Sequence, residues 1–121
     1  MSTQSTLMAT AYRQSVALAA ANGTAISALA FMAFGTGDDP YDPENNTALQ
    51  NEVLRLPLLN VTAQGPTVRA IGLLSGTQAG VHVIREAGVF TASGVLVGRR
   101  LIGCVELISE AELEIEIEFE Y

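Results

Sequence analysis

Residues 111–121 read Ala-Glu-Leu-Glu-Ile-Glu-Ile-Glu-Phe-Glu-Tyr, and this stretch decides the fold class that the sequence predicts. Apolar or aromatic residues alternate in it with glutamates without a break. Successive side chains of a β-strand point to opposite faces, so the alternation predicts a strand with one apolar face and glutamates about 6.6 Å apart on the other. The apolar face comprises Leu113, Ile115, Ile117, Phe119 and Tyr121, and the acidic face comprises Glu112, Glu114, Glu116, Glu118 and Glu120.

The chain before this strand also has β character. Branched and aromatic residues bounded by Gly, Pro, Ser and Asn predict strands at Ala25–Phe34, Leu58–Ala63, Thr67–Leu74, Val81–Thr91, Gly94–Ile102 and Ala111–Tyr121. The Gly- and Pro-containing stretch Gly35–Asn46 predicts a loop, and Thr47–Leu54 has some helical character because Leu49 and Val53 are four residues apart.

An Ala-rich segment at the start of the chain predicts one helix, Thr6–Ala21. Ser5 or Thr6 is a suitable N-cap, and Asn22-Gly23 predicts a left-handed stop. The sequence therefore predicts the α+β class, with an N-terminal helix packed on an antiparallel β-sheet or β-sandwich. We expect one domain over 1–121, with a helical arm at 1–22 and a mainly β part at 23–121.

The charge distribution argues against a nucleic-acid partner. The formal net charge is -7, and the six basic residues are all arginines. Binding to nucleic acid requires a basic surface that displaces counterions from phosphate, so we expect none. The apolar run Ser15–Phe34 is broken by Asn22-Gly23-Thr24, so we also expect no membrane insertion.

Residue types that carry catalysis or bind metals are sparse. His82 is the single histidine and Cys104 the single cysteine, which we expect to be a small buried strand residue. The loop acids Asp38, Asp39, Asp42 and Glu44 do not follow the order of a calcium-binding loop. We therefore expect no catalytic residue, no cofactor and no metal.

The acidic face of the last strand has two interpretations. It is either a solvated surface whose charge prevents edge-to-edge aggregation, or a surface that docks a basic partner or arginines of neighbouring strands such as Arg69, Arg99 and Arg100. Solvation is the commoner outcome for such rows.

Charged residues also interrupt apolar strands. Arg85-Glu86 lies within an apolar strand, Gly88 follows it, and Glu52 with Arg55 forms a second charged cluster. A charge inside an apolar strand has to be paired or to lie at a bulge or interface. We therefore expect these charges to order the connections between strands.

Three segments read together resemble the N-terminal collar domain of phage tail fibre proteins. They are Thr47–Arg55, Val83–Phe90 and Gly94–Gly98. The first matches an L-x-N-E-x-x-R stretch and the second an I-R-E-x-G-hydrophobic-aromatic strand, and the family pattern closes on a short hairpin and an alternating strand.

The resemblance implies a structural role in a phage tail, where such domains attach a fibre to the baseplate, usually within a trimer. It implies a virion tail location after assembly in the host cytoplasm, with fibre or baseplate proteins and further copies of the chain as partners. The residues that match the pattern, and that the resemblance assigns to fold and assembly, are Glu52, Arg55, Arg85, Glu86 and Gly88.

Two departures from the family pattern leave alternatives open. Members commonly continue into a shaft and a receptor-binding tip, whereas this sequence stops at Tyr121, and its last strand is more acidic than the pattern requires. The chain is therefore expected to be either a short adaptor, which we favour, or a truncated fibre. The alternative function is a receptor-binding module that recognises carbohydrates, which would need aromatic platforms for sugar rings.

Overall fold

Seven strands and two helices form the part of the chain that this computed structural model describes, residues 5–121. In chain order the elements are α1 (Thr10–Asn22), β1 (Leu29–Gly35), β2 (Glu52–Pro57), β3 (Asn60–Gln64), β4 (Thr67–Ser75), α2 (Gly76–Ala79), β5 (Ile84–Thr91), β6 (Leu96–Val105) and β7 (Glu112–Glu120). Sheet A has the strand order β2-β1-β5-β6, and sheet B has the order β3-β4-β7. Every pairing is antiparallel.

The α+β prediction, with a helix packed on a sheet, is wrong. Strands account for 46% of the described residues and helices for 15%, so the fold is β-rich with two sheets. Only Tyr12 and Ala19 of α1 are buried. The alanine side chains of this helix have little apolar area to bury, so α1 does not cover a sheet as predicted.

The main core lies between the two sheets. Sheet A contributes Met32, Phe34, Ala87, Val89 and Val97, and sheet B contributes Ala70, Leu74, Ile115, Ile117 and Phe119. The alternation in residues 112–120 thus places its apolar side chains in this core, as the sequence predicts. Tyr121 departs from the pattern, because its side chain is half-exposed at the end of β7.

A smaller core covers the opposite face of sheet A. The loop at residues 36–51 folds back over this face and buries Leu49 against Phe90 and Leu96. Ala9 and Ala33 complete the cluster. Sheet A is therefore covered on both faces, by sheet B and by the 36–51 loop.

The helix begins later than predicted. The first four residues of the predicted helical arm lie outside the described residues, and residues 5–9 form an extended N-terminal arm. Thr6 N donates to Glu118 O at 2.8 Å and Ala9 N to Val97 O at 2.8 Å, so the arm joins β7 to β6. Thr10 N donates to Pro43 O at 2.7 Å, which satisfies a helix N–H without a side-chain cap from Ser5 or Thr6.

Other boundaries follow from tertiary pairing. The predicted helical turn at Thr47–Leu54 is absent, and β2 begins at Glu52 because it pairs with β1. Gly23 ends α1 with φ 65°, as predicted. The short helix α2 follows β4 directly, with Ser75 as its N-cap. Cys104 is exposed, whereas the sequence predicts that it is buried. Neither helix in residues 5–121 has the length and apolar character that crossing a membrane demands.

Candidate functional site

The carboxylate of Glu86 joins both ends of the 36–51 loop to sheet A. Its Oε2 accepts from Gly37 N at 2.8 Å and from Asn51 N at 2.9 Å, and its Oε1 accepts from Gln50 N at 2.8 Å. Arg99 Nε donates to Oε1 at 2.7 Å. Glu86 is fully buried and Arg99 is 2% exposed, so these bonds are made away from bulk water.

Strand register brings four of the five predicted fold and assembly residues onto the loop-covered face of sheet A, all except Arg85. One row across the sheet pairs Arg55 with Ala33, Ala33 with Gly88, and Gly88 with Arg99. The next row pairs Gly35 with both Glu52 and Glu86. Residues distant in sequence therefore meet because four strands are in register.

Two glycines let the backbone approach the Glu86 carboxylate. A Cβ on Gly35 or on Gly37 would lie 2.6 Å from Glu86 Oε2, well inside van der Waals contact. Gly35-Thr36-Gly37 is too short for a phosphate-binding loop, but it surrounds a carboxylate of the same chain. The close approach requires residues without a side chain.

The environment of Glu86 favours its charged form. Burial opposes ionisation, but the Arg99 guanidinium and the N–H groups of Asn51, Gln50 and Gly37 outweigh it and lower the pKa of Glu86 below its ordinary value. Arg99 depends on Glu86 in turn. Its Nε donates to the Glu86 carboxylate, whereas its buried Nη2 has no hydrogen-bond partner within residues 5–121. The two side chains thus form a charged unit that holds the loop.

Glu52 and Arg55 form a second ion pair near the edge of the same face. Arg55 Nη2 lies 2.8 Å from Glu52 Oε1, and Arg55 Nε lies 3.0 Å from Oε2. The Arg55 guanidinium carbon also lies 3.8 Å from the centre of the Phe90 ring, a cation–π arrangement. The charged cluster that the sequence predicts at Glu52 and Arg55 is therefore an ion pair, and it lies on strand β2.

Gly88 gives space to the loop. A Cβ at this position would lie 2.6 Å from Leu49 Cδ2 and 3.3 Å from Leu96 Cδ1. The structure thus has a close approach to Gly88 by the Leu49 side chain. A register shift lies beside it, between Val89 and Phe90.

Arg85 lies apart from this cluster. It lines a small cleft with Asp38, Leu101 and Cys104, and no hydrogen bond or ion pair of Arg85 is formed within residues 5–121. Of the adjacent pair Arg85-Glu86, only Glu86 joins the buried network.

One known protein family matches most of the chain. The family described as phage tail-collar fibre protein, N-terminal, matches residues 1–99. The chain belongs to this tail-collar fibre family. The match includes Glu52, Arg55, Glu86 and Gly88 and ends at Arg99, the partner of Glu86. No curated protein matches the chain.

Membership in the tail-collar fibre family makes the chain a structural component of a phage tail. The domain that defines this family is a structural domain of phage tail fibres. Strand β7 lies beyond the matched residues, yet Ile117 and Phe119 are fully buried in the main core. The fold of this tail-collar chain therefore uses residues outside the family match.

The loop acids organise the 36–51 loop itself. Asp42 Oδ1 accepts from Glu44 N at 3.1 Å, and Asp42 Oδ2 accepts from Asn45 Nδ2 at 2.8 Å. The side-chain hydrogen bond from Asn45 is the main reason that the pKa of Asp42 is lowered. Within the described residues, no three His, Cys, Asp or Glu side chains are grouped as a metal site would require.

Tyr41 connects the loop to the N-terminal arm. Its hydroxyl donates to Leu7 O at 2.7 Å. Burial raises the pKa of Tyr41 to about 12, although Arg99 nearby lowers it in part. The loop thus contacts the arm through Tyr41, helix α1 through Pro43, and sheet A through Glu86.

The acidic face of β7 is divided into two halves. In one half Arg69 Nε lies 2.7 Å from Glu116 Oε1 and Arg69 Nη2 lies 3.0 Å from Glu118 Oε1. Glu120 Oε1 accepts from Thr67 Oγ1 at 2.7 Å. In the other half Glu112 and Glu114 are exposed, and no ion pair of theirs is formed within residues 5–121.

The partner of Glu86 is the functional residue that sequence reasoning missed. The sequence suggests Arg99 only as a partner for the acidic face of the last strand, whereas in the structure Arg99 pairs with Glu86. The available signal was its place in an apolar strand, where a charge needs a partner. Without the strand register, however, this position does not show which of several acidic residues is the partner of Arg99.

Proposed function

We propose that this chain connects a tail fibre to the baseplate as a collar-type adaptor, with residues 1–121 acting as one domain. The observation that carries the proposal is the match of residues 1–99 to the N-terminal part of tail-collar fibre proteins. The resemblance of the sequence to that family implies attachment at this end. The adaptor has no catalytic step, no cofactor and no metal.

The buried Glu86–Arg99 pair supports a mechanical role. It joins β5, β6 and both ends of the 36–51 loop through charge-assisted hydrogen bonds of 2.7 to 2.9 Å. An adaptor under load requires a loop and an arm that keep one arrangement. The sheet register and the buried pair supply such rigidity without any mobile active-site element.

We propose that the adaptor assembles as a trimer through α1. The helix exposes Leu18, whose side chain is 63% exposed, on a surface rich in alanine. A different side of the helix borders an apolar cleft of about 270 Å³, whose lining includes Tyr12, Val16 and Tyr121. Small side chains let a neighbouring helix approach closely, so the surface fits another copy of the chain.

Light scattering tests the trimer. We expect the purified chain to have a trimer's mass at low and at high salt, because apolar contacts are not screened. Leu18→Glu is expected to give monomers, whereas Val81→Glu, at a 96% exposed position outside α1, keeps the trimer. A monomeric wild-type chain, or equal loss in both variants, would refute assembly through α1.

Electron microscopy of phage particles tests the adaptor role. In a phage that encodes this chain, its inactivation is expected to yield tails without attached fibres, and the wild-type chain supplied in trans restores them. Tails that keep their fibres but no longer adsorb to host cells would contradict the adaptor role and favour the carbohydrate-binding alternative.

A further inference from the structure

We propose that the open edge of β7 binds an extended segment of a partner protein in which basic and apolar residues alternate. The inference deepens the proposed adaptor function and rests on it, because it names the chemistry of one partner. It concerns the half of β7 that contains Glu112 and Glu114.

The backbone of this half faces away from sheet B. Strand β7 pairs only with β4 and is therefore an edge strand. Glu116 O accepts from Arg100 Nη1 at 2.9 Å and Glu118 O from Thr6 N at 2.8 Å, so both carbonyls point to the open side. Backbone groups alternate along a strand, so those of Glu112 and Glu114 point there too. Within residues 5–121 no hydrogen bond reaches them from that side.

The other half of the same edge already holds an extended segment. The N-terminal arm lies between β7 and β6, bonded to Glu118 O and to Val97 O. The Arg100 guanidinium marks the point where the arm's contacts end and the open half begins. Unpaired edge groups are a template for strand addition, and the arm occupies only part of that template.

A cleft lined by apolar side chains and by the charged residues Arg100, Glu114 and Glu116 lies beside the open half. It has a volume of about 360 Å³ between the end of β6 and the start of β7, and its lining includes Ile102, Val105, Leu113 and Ile115. A strand added to β7 would point every second side chain into this cleft. Those side chains are therefore expected to be apolar.

The remaining side chains of the added strand would lie beside the glutamates. Residues 101–115 contain four glutamates and no Lys, Arg or His. Arg69 neutralises Glu116 and Glu118, whereas Glu112 and Glu114 have no such partner within the described residues. Opposite charges across a strand pair are favourable, so alternate residues of the partner are expected to be Lys or Arg.

A second copy of this chain does not fit that description. The chain has six arginines and no lysine, and no stretch of it alternates arginine with apolar residues. Two copies of the acidic edge would also bring like charges together, which is unfavourable. The occupant is therefore a different protein.

Fluorescence anisotropy with labelled peptides tests the inference. The probe is a six-residue peptide of alternating Lys and Val, and its control has the same composition arranged as three Lys followed by three Val. We expect the wild-type chain to bind the alternating peptide more tightly than the control. The double variant Glu112→Gln/Glu114→Gln is expected to bind it about five- to tenfold more weakly, with a smaller salt dependence.

Glu114→Pro separates edge pairing from simple charge attraction. Proline removes an N–H that faces the open side and leaves the ladder to β4 intact, a position where strands tolerate it. It is expected to abolish peptide binding while the urea unfolding midpoint stays near that of the Glu114→Gln variant. The control Glu44→Gln, which removes an exposed loop carboxylate, is expected to bind like wild type.

Several results would overturn the inference. One is equal binding of the two peptides, and another is full binding by a folded Glu114→Pro chain. A change in the solution mass of the chain on Glu114→Pro substitution would instead identify a second copy as the occupant.

Phage particles distinguish this inference from the adaptor role. If inactivation of the chain removes the fibres but Glu112→Gln/Glu114→Gln particles keep them, the edge proposal fails and the adaptor role stands. If inactivation leaves the fibres in place, the adaptor role itself fails.

Discussion

Glu86 and Arg99 lie on neighbouring strands of sheet A and pair at 2.7 Å with 0% and 2% of their side chains exposed. The two side chains differ in their number of other hydrogen-bond partners. Glu86 has three backbone N–H donors besides Arg99, whereas the guanidinium of Arg99 makes no hydrogen bond within residues 5–121 except to Glu86. Replacement of Glu86 should therefore lower the free energy of unfolding more than replacement of Arg99.

Replacement of Glu86 tests this asymmetry. Glu86→Leu leaves a buried guanidinium and three N–H groups without an acceptor, so we expect a loss of about 3–5 kcal/mol in the free energy of unfolding. Arg99→Met leaves the carboxylate with its three N–H donors and should cost about 1–2 kcal/mol less than Glu86→Leu. Urea denaturation measures both.

Glu52→Gln is the matched control, since its ion pair with Arg55 is partly exposed. It should change the free energy of unfolding by less than about 1 kcal/mol. If Arg99→Met is at least as harmful as Glu86→Leu, the loop is not held mainly by the carboxylate.

Acid should weaken the fold through Glu86. Its pKa in the folded chain lies below the ordinary value of 4.5, so the unfolded chain binds the proton more readily. The stability that ionised Glu86 provides is thus present above about pH 4.5 and is lost as pH falls through the lower folded value. Urea midpoints between pH 6 and pH 3 should fall more steeply for wild type than for Glu86→Gln. Parallel curves would refute this role.

Gly88 should tolerate a methyl group only if Leu49 becomes smaller. Gly88→Ala places a Cβ 2.6 Å from Leu49 Cδ2, so we expect a loss of about 1–3 kcal/mol from overpacking. In a double-mutant cycle, Gly88→Ala with Leu49→Ala should lose less stability than the sum of the single changes. Additive losses would show that the clash is relieved elsewhere.

Tyr41 should hold the N-terminal arm against β6 and β7. Tyr41→Phe removes its hydrogen bond to Leu7 O and should cost about 1 kcal/mol of stability. Amide hydrogen exchange should become faster at Thr6 and Ala9, while that of β4 is unchanged. Unaltered protection at Thr6 would mean that the arm is held without Tyr41.

High pH gives an independent test of Tyr41. Burial raises its pKa to about 12 from an ordinary value of 10.0, so the fold favours the neutral phenol. Stability from this group is present below about pH 10 and is lost as pH rises towards 12. The drop in urea midpoint from pH 9 to pH 11.5 should be smaller in Tyr41→Phe, with Tyr121 accounting for part of what remains, since its pKa is also raised.

Strand positions could be predicted from the sequence better than the fold class. The period of two in residues 112–120 predicts most of the burial, because Ile115, Ile117 and Phe119 are buried and Leu113 packs against the core, although Glu118 is buried as well. The Ala-rich helix also exists, but its sequence does not reveal how little surface it buries. The class was wrong because sheet B and the 36–51 loop, and not α1, cover the two faces of sheet A.

The candidate site could be predicted only in part. A charge at Glu86 in an apolar strand indicates a need for partners, but three of its donors are backbone N–H groups of a loop, which no side-chain pattern encodes. The charged cluster of Glu52 and Arg55 exists as an ion pair on strand β2, although Thr47–Leu54 has some helical character in the sequence. Strand pairing overrode the local helical spacing there.

The position of β7 has a consequence for how the protein is made. Thr67 pairs with Glu120 and Ser75 with Glu112, so this ladder joins residues between 37 and 53 positions apart in the chain. Such long-range pairing forms slowly and only after the last strand has emerged from the ribosome. A nascent chain that ends at β6 has Met32 and Leu74 without their partners from β7. Productive folding should therefore be delayed until the acidic strand is synthesised, and once it has emerged, its charges disfavour aggregation of chains that have not yet folded.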